Sequence, residues 1–150
     1  SAAVGALWAW GVVVEVLVFL GMHRLLVHFG ARRIVLVSLV LAVLRWLLTG
    51  GFVESLAIQI FAQTLHAATF GTFHAAAIHL VHHYFIGRTQ GRGQALYSSL
   101  SFGAGGALGS LVSGVLWSDA DADVTFGISA LAAGLCWITA WIWVDRERKF

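Results

Sequence analysis

Apolar residues run almost unbroken over positions 4–22, with Glu15 as the one charged interruption, and similar runs follow at about 34–50, 56–81, 96–117 and 124–144. Each is close to the ~20 residues that a helix needs to cross a ~30 Å hydrocarbon layer at ~1.5 Å per residue. The solvent of this chain is therefore lipid. Membrane strands would alternate polar and apolar positions over segments of about ten residues. These runs do not, and each is long enough to satisfy its own backbone hydrogen bonds as a helix. The pattern predicts an all-α integral membrane protein with five transmembrane helices. The first run is too long for a cleaved signal peptide, and no basic segment precedes it.

The polar stretches between the runs orient the chain. Arg24, Arg32 and Arg33 fall in the first, Arg88 and Arg92 in the third, and Arg146, Arg148 and Lys149 in the tail. The second carries Glu54, the fourth Asp119, Asp121 and Asp123, and neither has Lys or Arg. By the positive-inside rule the basic segments and the C-terminus face the cytoplasm, and the N-terminus faces outward. The pI near 9.2 thus reflects arginines on one membrane face and implies no nucleic-acid partner. A lone Cys136 permits neither an intrachain disulfide nor a cysteine metal cluster. There is no proline, so any helix bending is expected from glycine. Ser1 stands at the very edge of a membrane run, which suggests that sequence precedes it.

Ionisable groups within the runs are the candidates for chemistry. Glu15 falls near mid-membrane, where an acid costs about 2.5–3.5 kcal/mol, and helical spacing puts it on a face with Trp8, Val12 and Phe19. Arg45 lies a few residues from the outer end of its helix and is within reach of the interface by snorkelling. In the third run Gln59, Gln63, His66, Phe70 and His74 share one face of a continuous helix. Amides and imidazoles facing lipid would be costly, so this stripe is expected to face the bundle interior or a watery cavity.

Two rival signals overlap these helices. His79, His82 and His83 form a His-x-x-His-His box that resembles one box of the membrane di-iron desaturases. A single box supplies too few ligands, and His82 and His83 precede Tyr84 and Phe85 at the expected interface. In the fourth run Gly103, Gly105, Gly106, Gly109 and Gly114 have neither a preceding strand nor a Lys-Ser or Lys-Thr pair. They read as surfaces for close helix packing, with Gly105 and Gly109 the clearest pair.

The order of residues in Trp8-Ala9-Trp10-Gly11 through Glu15-Val16, Gly30-Ala31-Arg32-Arg33, Leu44-Arg45-Trp46, Gln63 through Gly71, and Gln94 through Ser99 resembles the C-terminal half of a major facilitator transporter. The resemblance is to the phenylpropionate permease group, relatives of the lactose permease, and it covers nearly the whole chain, 1–150. It implies that the five helices correspond to helices eight to twelve of twelve, without helix seven and the N-terminal half. It also implies a proton symporter for a small organic solute, such as an aromatic acid or sugar-like compound, working by alternating access without a cofactor. Proton coupling then falls to Glu15, Arg45 and His66, and solute binding to Trp8, Gln59, Gln63, Thr69, Phe70 and His74. Gly30, Arg32 and Arg33 match the family's cytoplasmic loop motif, with Val27 and His28 replacing its acidic and basic pair; Thr69 replaces an acid one turn after the coupling histidine. The alternatives are a desaturase-like metal enzyme and a non-transporting bundle with a sensory or assembly role.

Overall fold

The computed structural model describes residues 2–119 and 122–144, and every regular element among them is helical. Ser1, Asp121 and the tail cations Arg146, Arg148 and Lys149 lie outside the described residues. Helix α1 (Ala2–Phe29) runs straight through His23, Arg24, Val27 and His28, where the charge pattern had predicted a loop. The cause is packing: Met22, Leu25 and Leu26 join the core from this segment, so the helix continues to Phe29. Only Gly30 separates it from α2 (Ala31–Gly51). Its φ of 76° lies in the left-handed region that glycine enters freely.

The third rod is interrupted. Helix α3 (Leu56–His66) leads into a π-turn (Ala67–Gly71) and then α4 (Thr72–Tyr84). A short turn at Gly87–Thr89 starts the fourth rod: α5 (Gln90–Ser98), a second π-turn (Ser99–Ala104) and α6 (Gly105–Asp119). Helix α7 (Ala122–Trp143) completes the described chain. Two wide turns interrupt these rods, with Gly71 closing the first and Gly103 inside the second; such π-bulges are a recognised place for a helix to bend.

Gly5–Phe29, Ala31–Gly51, Gly87–Trp117 and Ala122–Trp143 are long and apolar enough to cross a membrane. The third rod's amides and imidazoles dilute its hydropathy. It packs against both α1 and α2, which shields part of its polar surface from lipid.

Helices α2 and α7 form the most extensive pair, antiparallel and pinned at both ends. At one end Arg32 donates from Nε to the Val144 carbonyl at 2.7 Å and from Nη2 to the Trp141 carbonyl at 2.8 Å. Its guanidinium carbon lies 5.1 Å from the centroid of the Trp141 ring. A cation on the last carbonyls of a helix satisfies groups that have no partner within it and complements its dipole. At the other end Phe126 stacks on Trp46 at 5.8 Å and lies so close to Gly50 that a Cβ there would fall 2.8 Å from the Phe126 Cβ. The buried core of Met22, Ala31, Ile34, Val35 and Ala76 sits near the Arg32 end, where α1, α2 and α4 meet.

The fourth rod is different. Its side chains from Ser99 to Val115 are exposed, and a Cβ at Gly103, Gly106, Gly109 or Gly114 would meet nothing within 4 Å. The close packing expected at Gly105 and Gly109 is not formed among the described residues: a Cβ at Gly109 would meet nothing within 4 Å, and one at Gly105 would meet its own rod's Leu100 carbonyl.

Candidate functional site

The polar stripe divides into side chains already engaged and side chains left open. Gln59 donates to the carbonyls of Thr49 at 3.2 Å and Phe52 at 3.0 Å, closing the end of α2. Thr69 is 5% exposed, and its hydroxyl donates to the His66 carbonyl at 3.0 Å. Thr72 donates to the Ala68 carbonyl. These two hydroxyls serve the wide turn, whose i→i+5 pattern disturbs the ordinary helical ladder. Gln63 and His66, by contrast, make no side-chain hydrogen bond among the described residues. Gln63 lies over α1, where a Cβ at Gly11 would come 3.4 Å from its Oε1.

Beyond the turn the rings form a ladder. His66 stacks on Phe70 with centroids 5.4 Å apart and planes at 7°, and Phe70 on His74 at 6.1 Å and 5°. The fourth rod supplies the other side. Phe102, from the second π-turn, sets its ring against Phe70 at 6.1 Å and His74 at 5.6 Å. Tyr97 pairs through its hydroxyl with His74 Nδ1 at 3.3 Å and lies edge-on to Phe102 at 6.2 Å. The two π-turns thus face each other across an aromatic wall. Sequence reading noted Tyr97 only within the stretch Gln94 through Ser99 and did not find Phe102, because both belong to a rod distant in sequence. The aromatic residue next to a glycine in a polar-flanked stretch was the available signal.

Glu15 stands at the edge of this wall. A Cβ on Gly71 would come 3.2 Å from its Cγ and 3.8 Å from its Oε1, so the absence of a side chain there is what admits it. Its neighbours along the packed face of α1 are Gly11, Val18 and Met22, all less exposed than Val12 and Phe19 on the other side. The carboxylate is half-buried and makes no hydrogen bond or ion pair among the described residues. His66 lies within Coulombic reach of both Glu15 and Arg45. Arg45 places its guanidinium carbon 3.9 Å from the centroid of Trp46, and its Nε is buried without a hydrogen-bond partner. Glu15 and His66 thus both flank the first π-turn, Glu15 against Gly71 and His66 against Phe70, while Arg45 lies on α2 over Trp46. Trp8 is not part of this group: it is 66% exposed, and its neighbour Trp10 instead donates to the Thr64 hydroxyl at 3.0 Å.

The loop-motif residues separate by role. Gly30 makes the turn, Arg32 caps α7, and Arg33 is exposed with no hydrogen bond or ion pair among the described residues. The histidine box is dispersed as well. His82 pairs with Gln94 Oε1 at 3.3 Å, and His83 rests edge-on to Tyr84. Among the described residues no three His, Cys, Asp or Glu side chains, His79 included, group as metal ligands.

Comparison with known proteins adds two findings. The family described as MFS_1 like matches residues 1–128. Over 137 residues the chain is 34% identical to a protein of Escherichia coli named a probable 3-phenylpropionic acid transporter. That match takes in 89% of this chain and 34% of the relative, so the chain spans about a third of the relative's length. No solved structure gives a significant match.

Proposed function

The chain belongs to the MFS_1 like family, and from that premise we propose that it forms part of a secondary transporter that moves a small organic acid with a proton by alternating access. It is a multi-pass membrane protein with transporter relatives and not an enzyme, which sets aside the desaturase reading. The observation that carries the proposal is the set of uncommitted polar groups, Glu15, Gln63 and His66, beside an aromatic wall between the third and fourth rods. A half-buried carboxylate within a membrane helix, with no hydrogen bond or ion pair among the described residues, is suited to a functional role.

On this reading His66 relays between Glu15 and Arg45. The ring of an aromatic acid lies along Phe70, His74 and Phe102, its carboxylate turned toward the Arg45 side. The relative's printed name supports an aromatic acid as the solute class. Gln63 contributes a hydrogen bond, and Gln59 and Thr69 support the walls. The missing helix seven and N-terminal half supply the opposing wall of a midplane site. The protein sits in a bacterial inner membrane with its basic segments in the cytoplasm.

The test is Glu15→Gln in the full-length protein that carries this chain. Uphill, proton-driven accumulation should fall much more than solute exchange, because glutamine keeps hydrogen-bonding capacity and loses titration. Undiminished uphill accumulation would overturn the coupling role.

A further inference from the structure

A second cavity lies away from the aromatic wall, on the other side of the first π-turn. It has a volume of about 480 Å³ and is bounded by Leu25 and Phe29 of α1, Val37 and Leu41 of α2, and Ala68 and Thr72 of the π-turn region. The polar groups at its inner end are occupied, with the Thr72 hydroxyl on the Ala68 carbonyl and the Ser38 hydroxyl on the Val35 carbonyl. What remains is a hydrocarbon-lined groove. It runs along α2 from position 33 to 41, about 12 Å at ~1.5 Å per residue.

Its mouth has a different character. Arg33 lines it at the start of α2, where the one-residue turn brings the end of α1 alongside. Arg32 is consumed by the carbonyls of α7, whereas Arg33 has no hydrogen bond or ion pair among the described residues. Position 33 is also at the basic, interfacial end of the helix, where phospholipid phosphates lie. An apolar slot ending in a guanidinium that has no partner among the described residues, at the basic end of the helix, is complementary to an anionic lipid along its whole length.

We infer that this groove is a binding site for an anionic glycerophospholipid, with one acyl chain between α1 and α2 and the phosphate on Arg33. A neutral lipid fills the slot equally well but gains less at its mouth, since its own headgroup cation competes for the phosphate. Because Ala68 and Thr72 form the inner wall, the bound chain packs against the back of the same π-turn whose front carries Phe70.

The experiment is native mass spectrometry of the 150-residue chain released from detergent with added phosphatidylglycerol or phosphatidylcholine. Phosphatidylglycerol should be retained preferentially. Arg33→Gln should lower its apparent affinity about fivefold, the equivalent of about 1 kcal/mol for one basic side chain at an anionic surface, and leave phosphatidylcholine unchanged. Val37→Trp, which closes the slot from the lipid side, should reduce retention of both lipids. Far-ultraviolet circular dichroism on each variant separates loss of the site from loss of the fold; if Val37→Trp does not fold, Leu41→Phe fills the slot from within. Equal retention of the two lipids by the unaltered chain, or phosphatidylglycerol binding indifferent to Arg33→Gln, would overturn the site. Failure of the lipid arm leaves the transport proposal intact, because none of these residues belongs to the aromatic wall.

Discussion

Glu15 is held against Gly71 so closely that a methyl group on the glycine would come 3.2 Å from the Glu15 Cγ. The carboxylate on α1 and the end of the first π-turn therefore occupy one space. Gly71→Ala separates two effects with opposite signs. Alanine favours helix over glycine by about 0.8–1.0 kcal/mol, so thermal stability should hold or rise. The acid must meanwhile shift by a few tenths of an ångström, and proton-driven accumulation in the full-length protein should drop. An unchanged accumulation rate would show that the placing of Glu15 does not matter.

Arg32 joins helices more than a hundred residues apart, through Trp141 and Val144. Charge-assisted hydrogen bonds contribute about 1.5–3 kcal/mol each. Partial exposure of the side chain lowers that, and Arg32→Gln should cost about 2 kcal/mol in all. Hydrogen exchange should speed up in the last turn of α7 specifically. Arg32→Lys should recover only part, since an ammonium cannot span two carbonyls as a fork does. Arg33→Gln should leave the unfolding temperature in lipid-free detergent within about a degree or two of the parent, a small surface effect.

The two glutamines of the third rod should behave oppositely. Gln59→Ala frees the Thr49 and Phe52 carbonyls and should lower stability by about 1–2 kcal/mol, with little effect on transport per folded molecule. Gln63→Ala removes no hydrogen bond within the described residues and should leave stability nearly unchanged while weakening solute affinity about fivefold to tenfold. Parallel melting and uptake measurements decide it; a matched loss in both variants would contradict the division of roles.

Phe102→Leu tests the aromatic wall. Ring pairs contribute about 0.5–1.5 kcal/mol beyond simple burial, so an aromatic acid should lose affinity relative to an aliphatic acid of similar length. Competition uptake with the two acids reads this ratio directly. Tyr97→Phe, which keeps the ring and removes the bond to His74, should shift the ratio less. A ratio unmoved by Phe102→Leu would take the wall out of solute recognition.

The helices and the polar face were legible because hydropathy and 3.6-residue spacing are local properties. Glu15, His66 and Arg45 stood out for the same reason, as ionisable groups in apolar runs. The π-turns were not legible: Ala67–Gly71 has an unexceptional composition, and an extra residue in one turn is stabilised by contacts from other helices. Gln59 and Arg32 were recognised as polar residues at marked positions, yet their partners are main-chain carbonyls, which sequence does not label. Phe102 has nothing in its own sequence neighbourhood to mark it, because its partners Phe70 and His74 stand on another rod.

The single glycine between α1 and α2 has a mechanical consequence. With one residue at φ 76° as the whole connection, there is no slack for the two helices to tilt independently. Through Arg32 that stiffness extends to α7, making α1, α2 and α7 a strut. The two wide turns, and the aromatic wall between them, lie on the other two rods, outside that strut.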